Sequence, residues 1–221
     1  MLVSHRYKFI YTKTAKTGGT SVESYFEKYC MAEGEWVQLH ERDEYVSKYG
    51  IIGYRGAEPP IETKYVNHMS ALKIKDLLGD DCWSRYLKFC VVRNPFDKAV
   101  SEFFFRIQKS GKIDENQDLD RWKIMFEKWL SESPKLPLDT DKFLIDKKNC
   151  MDYVIRYESL HKDMSKVCDL IGVSWDSRML PSFKSGIRPE NIRFQDLYTD
   201  VSKRIIEKVF QVEIERFGYS L

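Results

Sequence analysis

The sequence lacks several features that would assign it to a class at once. Its 221 residues contain five cysteines, an odd number with no CxxC pair, which argues against a zinc site or a disulfide framework. A formal net charge of +2 gives no bulk electrostatic argument for nucleic-acid binding. No apolar run is long enough for a signal peptide or a membrane span. We therefore expect a cytoplasmic protein that binds neither nucleic acid nor a membrane.

The residues that are present favour a folded α/β protein. Hydrophobic residues make up 43% and aromatic residues 14% of the sequence, which is enough for a substantial core. Short apolar runs typical of buried strands alternate with helical periodicity, and this pattern predicts a P-loop-like parallel sheet flanked by helices. The predicted strands cover residues 7–12, 36–39, 86–92 and 152–157. The predicted helices cover residues 20–30, 70–78, 95–108, 119–130, 158–171 and 200–217.

The predicted organisation of the chain is simple. Length favours one domain, and we expect residues 1–221 to form it, with a helical or irregular insertion at about 112–150. Ligands of α/β sheets bind at the carboxyl ends of the strands. The polar junctions after residues 12 and 92 both lie at such ends, so we expect them to contribute to one site.

The junction after the first strand has the composition of an anion-binding loop. Backbone N–H groups at a helix N-terminus bind anions, and two glycines permit the positive φ angles and the close approach that a phosphate cradle needs. One lysine adds a mobile charge, and three hydroxyl residues add donors or a helix cap at Thr20 or Ser21. An ordinary turn with a solvated lysine is the alternative. The residues concerned are Lys16, Thr17, Gly18, Gly19, Thr20 and Ser21.

The order of residues differs from the nucleotide-binding loop of kinases. In the pattern G-x-x-x-x-G-K-[ST] the lysine follows the glycines, whereas Lys16 precedes them. Nucleoside triphosphate chemistry also needs Mg²⁺, usually held partly by an Asp after a hydrophobic strand, but the strand at 86–92 ends in Arg93 and Asn94. The pattern favours a metal-free reaction such as sulfuryl transfer. A kinase with a reordered loop and a nucleotide-binding protein without catalysis are the alternatives.

Two sequence motifs resemble those of a known family. The stretches "AKTGGTS" and "VVRNPFDKAVSEFFF" are similar to the two donor-binding motifs of the carbohydrate-type sulfotransferases, the family that contains heparan-sulfate 2-O-sulfotransferase. "NHMSALKIKDLLG", "VIRYESLHKDM" and "FGYSL" extend the resemblance over most of the chain. It implies 3′-phosphoadenosine-5′-phosphosulfate as donor, adenosine 3′,5′-bisphosphate as product, no metal, and a hydroxyl-bearing acceptor that we expect to be a carbohydrate. One departure is Ala15, because the family usually has proline before the motif lysine.

The resemblance also implies roles for individual residues. The loop at 16–21 would hold the 5′-phosphosulfate, with Lys16 shielding the bridging oxygen as charge develops there. Arg93 would clamp the 3′-phosphate, and Ser101 would donate a hydroxyl from the following helix. In the family, a late loop folds over the adenosine with a lysine, a hydroxyl residue and an arginine. The positions that match this loop are Lys184, Ser185 and Arg188.

A general base is expected because the acceptor hydroxyl loses a proton as it attacks sulfur. His68 lies just ahead of a helix that begins near Ser70, where the helix dipole favours the neutral imidazole. It also occupies the position of the catalytic histidine in the resembling enzymes. The alternative role for His68 is capping or packing, and His40 is the second candidate for the base. Lys13, upstream of the motif, is either a second cation of the site or a solvated side chain.

Overall fold

The computed structural model describes residues 1–111, 117–132, 135–183 and 186–221. The chain forms two compact units, and each is assembled from two segments of sequence. The first unit contains Met1–Val92 and Asp139–Phe183. The second unit contains Arg93–Leu138 and Lys184–Leu221. The insertion expected at about 112–150 stays a prediction.

Strands and helices alternate along the described chain. The strands are β1 (Leu2–Ser4), β2 (Phe9–Thr12), β3 (Tyr45–Val46), β4 (Gly50–Ile52), β5 (Leu87–Val92), β6 (Leu144–Ile145), β7 (Lys148–Asn149) and β8 (Tyr153–Arg156). The helices are α1 (Gly19–Glu27), α2 (Ala71–Leu78), α3 (Asp80–Arg85), α4 (Pro95–Lys109), α5 (Leu119–Glu132), α6 (Thr140–Phe143), α7 (Leu160–Leu170), α8 (Asp200–Val209) and α9 (Gln211–Phe217). Short 3₁₀ turns cover Tyr157–Ser159, Ser177–Met179 and Phe194–Leu197.

A mixed sheet forms the centre of the first unit, in the strand order β3-β4-β1-β2-β5-β8. The strands β2, β5 and β8 are parallel, whereas β1 pairs antiparallel with β2 and β4, and β3 pairs antiparallel with β4. The helices α1 and α7 contact the sheet at β1 and β8. The predicted α/β class is therefore confirmed, and the antiparallel strands extend the sheet on one side. Because β2, β5 and β8 run in the same direction, their carboxyl ends share one edge.

Aromatic packing fixes α1 on this sheet. Phe9 of β2, Phe26 of α1 and Phe89 of β5 are fully buried. Their ring centroids lie 5.1–5.7 Å apart, within the range of favourable aromatic pairs. Each fully buried phenylalanine contributes roughly 1.5–3 kcal/mol through the removal of apolar surface from water. This contact fixes the C-terminal part of α1 on the sheet, beside β2 and β5.

The second unit has a helical core of its own. Buried aromatic side chains of α4 and α5 fill it, with Phe103, Phe104, Trp122 and Phe126 each at most 2% exposed. Phe103 and Phe126 approach with ring centroids 5.2 Å apart and an interplanar angle of 70°, an edge-to-face pair. This packing sets the orientation of α4, whose first turn carries part of the candidate site.

Two predicted elements were wrong. Residues 36–39 form no strand, because their carbonyl groups accept hydrogen bonds from arginines instead of from a neighbouring strand: Arg42 donates to Val37 and Arg55 donates to Leu39. The single helix predicted over 200–217 is two helices, α8 and α9, which meet at the buried Phe210. In the part of the chain that the structure describes, no helix has both the length and the apolar character needed to cross a bilayer.

Candidate active site

The loop between β2 and α1 is shaped by two residues with left-handed backbone conformations. Gly18 has a φ angle of 70° and stands immediately before α1. The backbone angle favours glycine, and a Cβ atom added there would make a tight contact, 3.3 Å from the ring of Tyr157. Lys16 has a φ angle of 59°, which is uncommon for a residue with a side chain and marks local strain. The loop therefore turns sharply on each side of Thr17.

The helix α1 has no side-chain cap. It begins at Gly19 after Gly18, so the cap predicted at Thr20 or Ser21 was wrong. The first N–H groups of a helix have no partner within the helix and need an acceptor from outside it. Ser21 instead accepts a hydrogen bond from the Phe183 backbone at 3.2 Å through its hydroxyl. The uncapped start of α1, beside a left-handed glycine, is the arrangement in which backbone N–H groups can bind an anion.

Threonine side chains hold the loop against the sheet. The Thr14 hydroxyl donates to the Val91 carbonyl of β5 at 2.5 Å, and its oxygen lies 2.8 Å from the Thr17 hydroxyl. Both threonines are buried. The structure therefore places the Thr17 hydroxyl inside the loop, whereas Lys16, Gly18 and Thr20 are partly exposed.

The position that departs from the family pattern has a partner of its own. The Ala15 N–H donates to both carboxylate oxygens of Asp139, at 3.1 and 3.0 Å. A proline at this position would have no N–H to donate. Asp139 is buried and precedes α6, so the hydrogen bonds tie the start of the loop to that helix.

Lys13 is buried, which rules out the solvated alternative. Its ammonium group lies 2.7 Å from Glu23 Oε2 and 3.5 Å from Asn67 Oδ1. Glu23, on α1, also accepts from the Met1 amino group at 2.7 Å and from Arg55 at 2.8 Å. Burial raises the pKa of Glu23, but the nearby cations outweigh it and hold the pKa well below its usual range. A network of buried charges therefore lies beneath the candidate loop.

His68, the candidate base, is not the cap of α2. The cap of α2 is Ser70, whose hydroxyl accepts from the Lys73 N–H at 3.2 Å. His68 precedes that cap with a φ angle of 54°, a second uncommon backbone conformation at a candidate catalytic residue. Among the described residues its imidazole has no hydrogen-bond partner.

The surroundings of His68 keep its imidazole uncharged. Burial lowers its pKa to about 4, and the cations Lys13, the Met1 amino group and Lys142 act in the same direction, against a smaller opposing effect of Glu23. The side chain nevertheless has exposed surface. Protein atoms therefore lie around a ring that solvent still reaches. The second candidate, His40, is exposed and packs edge-on against Phe183 with ring centroids 5.4 Å apart.

In the second unit, an aspartate brings two of the predicted donor-binding arginines together. Arg93 donates to Asp97 Oδ2 from Nε at 2.8 Å and from Nη2 at 2.7 Å. Arg188 donates from Nη1 to Asp97 Oδ1 at 2.8 Å. Ser101 follows Asp97 by one turn of α4 and is half-buried. The predicted residues Lys184 and Ser185 lie outside the described residues.

Comparison with known proteins assigns the family. A family model described as the sulfotransferase family matches residues 1–220. The chain belongs to the sulfotransferase family. An uncharacterised protein of Archaeoglobus fulgidus is 30% identical over 105 residues, which cover 48% of this chain and 83% of that protein. No solved structure matches the chain significantly.

One cleft in the first unit of this family member does not coincide with the candidate site. It has a volume of about 380 Å³, and Lys8, Leu87 and Asp152 are among the residues that line it. These residues precede or begin β2, β5 and β8, so the cleft lies at the amino ends of the parallel strands. The candidate loop follows the carboxyl end of β2, at the opposite edge of the sheet.

Two aspartates were not among the predicted site residues: Asp139, which contacts the loop in the first unit, and Asp97, which contacts the arginines in the second. Asp97 stands four residues after Arg93, a spacing that places both on one side of a helix start, so this contact has a local sequence signal. Asp139 is 124 residues from Ala15, and no local pattern indicates their contact.

Proposed function

We propose that this sulfotransferase family member transfers a sulfuryl group from 3′-phosphoadenosine-5′-phosphosulfate to a hydroxyl group of a carbohydrate. The observation that carries the proposal is the loop before α1, where left-handed Gly18 precedes an uncapped helix and Lys16 stands beside it. Backbone N–H groups in this arrangement suit a phosphate, and a lysine suits the negative charge that develops when the sulfuryl group leaves.

The two charged ends of the donor are assigned to different sets of residues. We assign the 5′-phosphosulfate to Lys16 and to the residues 17–21. We assign the 3′-phosphate to Arg93 and Ser101, because a planar guanidinium binds phosphate through two parallel hydrogen bonds. The late loop would lie over the adenosine, and its proposed contacts are Lys184, Ser185 and Arg188.

The reaction moves one sulfuryl group and one proton. A lone pair of the acceptor oxygen attacks sulfur and forms the new O–S bond, while the bond between sulfur and the bridging oxygen breaks and its electron pair stays on the phosphate. Lys16 stabilises that oxygen. The hydroxyl proton passes to a ring nitrogen of His68, which is neutral at physiological pH because its pKa is lowered to about 4.

A base as weak as His68 is compatible with this chemistry. In the dissociative limit the group in transit is neutral SO₃, a strong electrophile. The acceptor hydroxyl then needs little negative charge before it attacks, so proton transfer can come late and a weak base suffices. The protonated imidazole afterwards loses its proton to water readily, since its pKa lies below that of an ordinary histidine.

The carbohydrate class of the acceptor rests on the resemblance of the two donor motifs and of the position of His68 to the carbohydrate-type enzymes. The contacts of the described residues do not distinguish one hydroxyl-bearing saccharide from another. The acceptor is therefore proposed at the level of the class alone.

Calorimetry with the reaction product tests the donor assignment before any acceptor is known. We expect adenosine 3′,5′-bisphosphate to bind in the presence of a metal chelator. In a separate titration without the chelator, equimolar ATP with Mg²⁺ should not displace it. Displacement by ATP together with turnover that requires Mg²⁺ would instead identify a kinase. Binding of the bisphosphate without turnover over a broad acceptor panel would identify a nucleotide-binding protein without catalysis.

A further inference from the structure

Both carboxylate oxygens of Asp97, in the first turn of α4, accept hydrogen bonds from arginine side chains. Its Oδ2 atom accepts two hydrogen bonds from Arg93, and its Oδ1 atom accepts one from Arg188. The side chains of Arg93 and Asp97 are 9% and 13% exposed, and that of Arg188 is 33% exposed. Exposed ion pairs contribute little because solvent screens them. This cluster is largely shielded from solvent, so its charges are held in a defined geometry.

The cluster has an excess of positive charge. Two guanidinium groups repel each other at short distance, and the carboxylate between them allows both to remain there. One negative charge against two positive charges leaves a net charge of +1. Arginine has five N–H donors, and the contacts of Arg188 with Asp97 use one of them. Arg188 therefore retains donors and a positive charge that a further anion can use.

We propose that Asp97 is a positioning residue that sets the preference of this protein for nucleotides with a 3′-phosphate. It holds Arg93 and Arg188 side by side before the nucleotide arrives, so the two long side chains are already ordered when the phosphate binds. This inference rests on the proposed function, which assigns both arginines to the donor.

Loss of the Asp97 carboxylate has two opposite effects on phosphate affinity, one through charge and one through the orientation of the arginines. Removing a negative charge strengthens the attraction between the arginines and a phosphate. Removing the group that orders them means that the nucleotide must order them itself, which weakens binding. The sign of the change in affinity therefore separates a positioning residue from a competing anion.

The experiment compares the dissociation constants of adenosine 3′,5′-bisphosphate and adenosine 5′-phosphate by calorimetry on the full chain. In Asp97→Asn we expect the preference for the bisphosphate to fall by about tenfold, the effect of ordering one or two long side chains. In Asp97→Glu, which keeps a carboxylate, we expect part of the preference to return. An unchanged affinity for adenosine 5′-phosphate would show that the variant is folded.

The matched control is Glu102→Gln on the same helix. Glu102 pairs with Arg106 at 2.6 Å and also lies four residues from its partner. We expect this variant to keep the preference of the parent protein. Any general effect of removing one negative charge from α4 would appear in it.

The outcomes are distinct. An unchanged or increased preference in Asp97→Asn, with a loss of preference in Arg93→Ala, would overturn the role of Asp97 and leave the proposed function intact. A parent protein that does not distinguish the two nucleotides would overturn the proposed donor and this inference with it. A loss of preference in Asp97→Asn that Asp97→Glu partly restores would support the proposal.

Discussion

The loop at residues 13–18 and the arginine cluster around Asp97 each hold a carboxylate of the same chain, and they hold it in different ways. In the loop, the backbone N–H of Ala15 donates to Asp139. In the cluster, the side chains of Arg93 and Arg188 donate to Asp97. Backbone donors are fixed by the fold, whereas long side chains adopt a defined position only when a partner holds them.

This difference separates two tasks. The loop is strained at Lys16, has a left-handed backbone at Gly18 with the ring of Tyr157 close by, and lies in the same unit as His68. Such a rigid region suits the reacting groups, whose positions must be accurate. The arginine cluster suits recognition, because Asp97 holds two guanidinium groups side by side before a phosphate binds. Substitutions of the reacting groups, Lys16 and His68, should therefore change turnover most, and substitutions in the arginine cluster should change mainly the affinity for the 3′-phosphate.

The largest effect is expected for His68→Ala. Loss of a positioned base should lower turnover by roughly 10²–10⁴ and leave donor affinity nearly unchanged. Single-turnover kinetics together with calorimetry would measure both quantities. His40→Ala is the control and should retain activity. Full turnover in a folded His68→Ala variant would remove the base from this position and break the division between the two regions.

The next effect is expected for Arg93→Ala. Losing charge-assisted hydrogen bonds should weaken binding of adenosine 3′,5′-bisphosphate by about 1.5–3 kcal/mol. Adenosine 5′-phosphate should be affected much less, because it lacks the group that Arg93 is proposed to bind. Equal losses for the two nucleotides in calorimetry would detach Arg93 from the 3′-phosphate.

A smaller effect is expected for Gly18→Ala. The left-handed backbone at a φ angle of 70° costs about 1–2 kcal/mol for a residue with a Cβ atom, and the new atom also meets the ring of Tyr157. Both the free energy of unfolding and donor affinity should fall. Gly34→Ala is a matched control, because Gly34 has a φ angle of 83° and open space around it. If both variants bind the donor equally well, the shape of the loop does not matter for binding.

The smallest effect concerns the pH dependence of turnover. Since the pKa of His68 is lowered to about 4, the neutral base should persist as pH falls through 6.5, and activity should decline only as pH approaches 4. Lys142 is one of the cations that lower this pKa. In Lys142→Met the acid limb of the pH profile should therefore move to higher pH. The profile of Glu102→Gln, in the other unit, should not move, and an acid limb near pH 6.5 in the parent protein would contradict the account.

Local sequence patterns were sufficient to predict the α/β class and the loop after β2. The order of lysine, glycines and hydroxyl residues after an apolar run predicts a strand, a turn and a helix start, all of which depend on neighbouring residues. The same reasoning placed the helix cap at Thr20 or Ser21, although α1 begins earlier, at Gly19. A hydroxyl residue near a helix start is a common cap, but here the backbone angle of Gly18 decides where the helix begins.

Contacts between distant residues were not predictable from the chain. The sequence alone allows Lys13 to be either a cation of the site or a solvated side chain. Only the fold shows that Lys13 is buried and pairs with Glu23. The short antiparallel strands β1, β3 and β4 have two or three residues each, too few for a period to be recognised. Their positions depend on pairing within the sheet.

The central claim is that this chain moves a sulfuryl group, and transfer of sulfur label tests it most directly. The protein is incubated with sulfur-labelled 3′-phosphoadenosine-5′-phosphosulfate, a panel of hydroxyl-bearing saccharides and a metal chelator, and both products are quantified. The account predicts labelled saccharide and adenosine 3′,5′-bisphosphate in equal amounts, with Lys16→Ala and His68→Ala strongly reduced. Label that stays on the donor with every saccharide, under conditions in which the bisphosphate binds, would contradict the account.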